Sequence, residues 1–197
     1  SAYFSDFSFR ADDGLVFDPP PPVDAVPGAI RAWRLSQPFP ALRVDVEKTP
    51  EEQGLGDIAW REVAADVSGL VDVARTYARS GQPDLVYARA AITSDRDKTM
   101  KLDLGYSDLV SVFVNGKLLF TGDSRYQLRD SSFLGAIGYF DSVVLPLRRG
   151  ENELLFAVTE TMGGWGFQAR DGRAVFAAEG TEKVWETPRE LSVPESA

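Results

Sequence analysis

The chain has 197 residues, 44% of them apolar, and carries 30 acidic against 21 basic side chains for a net charge of −9. That length suits one well-buried domain with attached segments; the acidic balance repels a phosphate backbone, and no apolar run nears the roughly 20 residues that span a bilayer. With neither Cys nor His, disulfides, thiolate chemistry, a Ser-His-Asp triad and imidazole-bound zinc are excluded within this chain, leaving carboxylate, Lys, Tyr or oxygen-ligated metal chemistry.

Residues 1–17 alternate Tyr3, Ser5, Phe7 and Phe9 and read as a strand closed by the turn Asp12-Asp13-Gly14. It either ends a preceding domain or packs back on this one. Residues 18–28, DPPPPVDAVPG, form a linker or strap, because consecutive prolines favour an extended polyproline conformation and cannot enter a sheet interior. The chain starts at Ser1 with no initiator Met and no signal-peptide pattern, as a processed product or excised piece would. From Ile30 to Ser36, Ile30, Ala32 and Arg34 share one strand face and Arg31, Trp33 and Leu35 the other. Residues 47–58 are polar and read as loop. Residues 67–80 fit a short helix or a strand equally well.

Clearer strands follow. Residues 85–93 put Val86, Ala88, Ala90 and Ile92 on a buried side and leave Tyr87 and Arg89 on the other. Residues 98–106 align Met100, Leu102, Leu104 and Tyr106. Residues 109–120 form a hairpin about Asn115-Gly116, the pair suited to a type I′ turn. If Val114 pairs with Lys117, then Val110, Val112, Val114 and Leu119 share one face, with Leu109, Phe113, Leu118 and Phe120 opposite. Both faces are apolar, so one meets the core and the other needs a cover from a loop, the strap or a neighbouring domain. Residues 143–147 and 153–159 are strands joined by the turn at 148–152, and 165–169 and 173–178 are joined around Asp171-Gly172. The spacing indicates an all-β antiparallel sandwich or barrel. A domain over residues 29–180, followed by a tail at 181–197, is the expected organisation.

The segments LGYSDLVSVFVNGKLLFTGD and VVLPLRRGENELLFAVTETMGGWGF, with IRAWRLSQPFP before them, resemble the galactose-binding-domain-like β-jelly roll. Such modules accompany secreted glycoside hydrolases and other bacterial multidomain proteins. The resemblance implies a non-catalytic accessory module of an exported protein, extracellular or periplasmic, whose partner is a glycan or a neighbouring domain of the same polypeptide. The opening AYFSDFSFR looks like the last strand of a concanavalin-like or laminin-G-like sandwich.

Within that frame Trp165, flanked by Gly163, Gly164 and Gly166, is either a sugar-stacking platform or a plug folded into the sandwich. The loop over residues 122–141 is the longest connection beside the core strands and a natural place for a site. If a site exists, Arg125, Tyr126 and Tyr139 are expected near Trp165 and Glu160; if not, Phe133, Leu134, Ile137 and Phe140 anchor the loop to the domain. Trp33 and Trp60 read as core or strap-packing residues. No carboxylate pair is recognisable as an acid and base. Related jelly rolls often carry a structural calcium; Asp12, Asp13, Asp95 and Asp97 are oxygen donors that fit no EF-hand spacing and equally serve as turn caps.

Overall fold

The computed structural model describes residues 24–77, 84–125, 128, 136–161 and 163–174. Ten strands are described: β1 (Ala32–Ser36), β2 (Trp60–Ala64), β3 (Leu70–Asp72), β4 (Leu85–Ser94), β5 (Lys98–Ser107), β6 (Leu109–Val114), β7 (Lys117–Asp123), β8 (Asp141–Leu147), β9 (Gly150–Thr159) and β10 (Gly166–Asp171). They form a six-stranded sheet, β2-β1-β4-β9-β6-β7, and a four-stranded sheet, β3-β10-β5-β8, with every pairing antiparallel. The fold class is the all-β antiparallel sandwich expected from the strand spacing.

The main core lies between the sheets. Trp33 and Leu35 of β1, Val86 and Ala88 of β4, Leu102 and Leu104 of β5, and Phe156 and Phe167 all point into it. Trp33 stacks edge-on to Phe167 at 4.9 Å between ring centroids and meets Phe156 at 5.2 Å, so the three rings join the two sheets across the layer. The chain enters at the corner between the sheets: Ile30 N donates to Ala169 O of β10 at 2.9 Å, and two residues later β1 belongs to the other sheet. Upstream, Val26 N donates to Val67 O and Asp171 N to Gly28 O, so residues 26–28 run along the domain. The expected strand at 1–17 and tail at 181–197 lie outside the described residues.

A second apolar layer covers the outer face of the large sheet. Leu85, Tyr87, Phe113, Leu155 and Ala157 are buried there beneath Phe39, Ala41, Val44, Val46 and Leu55. The chain's own 39–55 segment is thus the cover that the two-faced hairpin required. Tyr87, expected opposite the buried side of its strand, is fully buried under this segment. Gln53 Nε2 donates to its hydroxyl at 2.9 Å, and burial pushes the phenol pKa up to about 12. The polar composition of 47–58 hid this cover, because within it only Leu55 packs on the outer layer.

The hairpin also departs from simple alternation. Val114 pairs with Lys117 and Phe113 with Leu118, but Val112 pairs with Phe120 across a register shift. Leu119 is the extra residue of a bulge, which turns Phe120 onto the core face with Leu119 and away from Phe113. Two further segments differ from expectation. Within the described part of 67–80, residues 67–77, β3 is followed by a single helical turn, α1 (Val73–Thr76), capped where Arg75 N donates to Asp72 Oδ1. After β10, residues 172–174 turn helical instead of starting a strand.

Candidate functional site

Of the expected site residues that are described, Trp165 and Glu160 are buried, while Arg125 and Tyr139 are held by other side-chain and backbone partners. Trp165 is 3% exposed, its Nε1 donates to Val158 O at 3.4 Å, and its carbonyl accepts from Val73 N and Ala74 N at the start of α1. The indole is a core residue that closes the sandwich beside β9. Its neighbours Gly163 and Gly164 are exposed, while Gly166 lies where a Cβ would stand 2.9 Å from Val71 O. The glycine run therefore serves close strand packing as well as the bend. Glu160 is 1% exposed, with its backbone N bonded to Asp84 O at 2.8 Å.

Tyr139 lies on the outer face of the small sheet. Its hydroxyl donates to Ser68 O at 2.9 Å, and the Arg170 guanidinium stacks on its ring at 4.1 Å from the centroid. Burial pushes its phenol up, opposed by the Arg170 charge. Gly105 permits this arrangement, because a Cβ there would collide with Gly138 O. Arg125 is exposed and grips Asp123 with both carboxylate oxygens engaged, at 2.6 Å for the shortest bond. No described hydrogen bond, ion pair or ring contact joins Arg125 or Tyr139 to Trp165. Tyr126, Phe133 and Leu134 lie outside the described residues; Ile137 packs at Gly166, and Phe140 is 42% exposed.

The described turn carboxylates have protein partners. Asp95 pairs with Lys98 at 3.0 Å, and Asp97 accepts from Arg149 N at 2.7 Å. Among the described residues, no group of three His, Cys, Asp or Glu is placed to hold a metal ion, and no helix is long and apolar enough to cross a membrane. Asp12 and Asp13 lie outside the described residues.

A different site emerges where the large sheet splits. β1 meets β4 only at Arg34↔Arg89 and Leu35↔Ala88, because the chain before Ala32 turns toward the small sheet. β4 continues to Ser94 with β9 as its registered partner. The divergence opens a groove of about 930 Å³ across β2, β1, β4 and β9. Arg31, Arg34, Glu62, Arg89, Glu151 and Glu153 supply its charged lining.

Arg89 is the hub. It donates to Glu51 at 2.6 Å, pairs with Glu153 at 2.8 Å, and lies 4.4 Å over the Trp60 ring. Burial alone would push the Glu51 carboxyl up, yet backbone and Arg89 hydrogen bonds hold it below the usual carboxylate range. Arg34 and Glu62, direct cross-strand partners, approach to 3.5 Å with both side chains largely exposed. Asn152, 1% exposed, braces the floor by donating to Arg148 O at 2.8 Å and accepting from Asn115 Nδ2 at 2.9 Å. The groove thus offers guanidinium donors and carboxylate acceptors side by side on rigid strands. Strand alternation placed Arg34 and Arg89 opposite the apolar faces, but only the missing β1–β4 pairing makes a concavity there. β2, which supplies Glu62, was not legible as a strand.

No family model matches the sequence, and no curated protein matches it. Among solved structures, the chain is similar to a β-glucosidase from Kluyveromyces marxianus in complex with glucose. That alignment has 14% identity and a TM-score of 0.42, covering 70% of this chain and 15% of the other. It is also similar to a β-glucuronidase from Ruminococcus gnavus at 10% identity and a TM-score of 0.39, over 67% of this chain and 21% of the enzyme. In each case the chain spans about a fifth or less of the other protein's length.

Proposed function

We propose that this chain is a non-catalytic carbohydrate-binding module of the galactose-binding-like type, an accessory part of a larger exported protein, with its ligand in the groove between β1 and β4. The observation that carries this reading is the groove itself, a concavity of about 930 Å³ whose guanidinium and carboxylate groups are set on sheet strands. Vicinal hydroxyls both donate and accept, and such a lattice satisfies both needs. Its size falls within the usual range of ligand sites. The test is a glycan array probed with the wild type and with the double variant Arg34→Ala/Glu62→Ala. Binding to at least one glycan, lost in a variant that still folds, is the expected outcome; equal binding by both proteins removes the groove from the function.

The alternative is a structural module that docks on a neighbouring domain or a second copy. The burial of Trp165 favours it, since that ring is unavailable for stacking. The hairpin face once considered for such docking lies beneath residues 39–55.

A further inference from the structure

The direction and charge of the groove narrow the ligand, an inference that rests on the glycan reading above. Glu62, Arg34, Arg89 and Glu153 form a row across four neighbouring strands, linked by the register pairs Arg34↔Glu62 and Arg34↔Arg89 and by the Arg89–Glu153 ion pair. Three interstrand steps give the row a length of about 14 Å. Along the strands the lining covers only Arg31 to Arg34 at the start of β1 and three residues on each of the others, about 7 to 10 Å. The long direction therefore crosses the strands. A peptide adding to the β4 edge would run along them, with little lining to meet it.

The row carries a second signal. Arg34 and Arg89 are direct cross-strand partners, a like-charge juxtaposition that costs stability and that sheet formation does not require. Arg34 is balanced by Glu62 and Arg89 by both Glu153 and Glu51, and within the lining itself three Arg are matched by three Glu. The groove is thus neutral as a whole on a chain of net charge −9, so an acidic polymer gains no net attraction locally and meets repulsion at a distance. Aromatic stacking is not on offer in this lining either: its one aromatic residue, Trp33, is 2% exposed.

We infer that the groove binds an uncharged glycan chain laid across strands β2, β1, β4 and β9, and holds it by hydrogen bonds to the Arg and Glu row. Its length exceeds one sugar ring, so the row engages more than one residue of the chain. Hydrogen bonding between a neutral ligand and a charge-balanced row depends little on ionic strength, unlike capture of a polyanion.

The experiment is affinity electrophoresis through gels containing neutral polysaccharides (mixed-linkage glucan, galactomannan, arabinoxylan) or acidic ones (polygalacturonate, alginate), at low and high NaCl. Wild type, Glu62→Gln and Arg34→Gln are compared. The expected result is retardation by at least one neutral polymer, changed less than about twofold by salt and weakened about tenfold or more by each substitution. Retardation by acidic polymers alone, abolished by salt and by the substitutions, overturns the neutral class and leaves the groove as a glycan site. No retardation by either class overturns the glycan reading as well, whereas retardation indifferent to both variants overturns the groove as the place of binding. Amide exchange on the complex adds the last discriminator: slowed exchange at alternate residues along Ala90–Ser94 would mean strand addition, and the transverse ligand would be wrong.

Discussion

Trp165 packs against β9 with 3% of its surface exposed, so its replacement by alanine removes a buried bicyclic ring that no neighbour can refill. The expected loss is about 3 to 5 kcal/mol, read from urea denaturation. Tyr87 makes a separate test possible. Its folded pKa of about 12 exceeds the ordinary phenol value of 10, so the folded state holds the proton more tightly than the unfolded state. Its contribution is complete below pH 10 and declines as pH rises from 10 through 12. Stability measured across that window should fall more steeply in the wild type than in Tyr87→Phe; identical curves would place the phenol's titration elsewhere. The sequence showed Tyr87 and Trp165 on strand-like segments. It did not show that one would be covered by a distant loop and the other turned inward, because neither choice is local.

At the scale of elements, the 39–55 segment acts as a third layer. Phe39 anchors it, with its ring 6.1 Å from that of Tyr87 and its backbone bonded to Leu85. Since Phe39 is half-buried, Phe39→Ala should cost about 2 to 3 kcal/mol and raise binding of a hydrophobic dye as the outer face opens. On the opposite sheet, the loop at 136–140 lies close over β5 at Gly105. Gly105→Ala should therefore displace that loop and cost about 1 to 3 kcal/mol in thermal melts, with the Tyr139–Ser68 bond lost. The Asn115-Gly116 turn was legible from its dipeptide and has φ values of 50° and 80°. The bulge at Leu119 was not, since either partner spacing suits the same apolar residues until the turn and the core compete for register.

For the molecule as a whole, acidity is the property that reaches solution behaviour most directly. With a sequence pI near 4.6, solubility should be lowest close to that pH, as light scattering across pH 4 to 7 would show. The groove variant Arg34→Ala/Glu62→Ala removes one charge of each sign and leaves the net charge unchanged. Because that pair is largely exposed, its stability should stay within about 1 kcal/mol of wild type, which separates a binding defect from an unfolding one. By itself the sequence determined the all-β class, most strand positions, the hairpin turn and the absence of His and Cys chemistry, since alternation, turn dipeptides and composition are local properties. Only the tertiary structure decided which aromatic rings are buried, what covers the second apolar face and where a groove exists. Those depend on how distant strands meet, and above all on the chain coming from the small sheet at Ile30 into β1, which then pairs with β4 at only two residues.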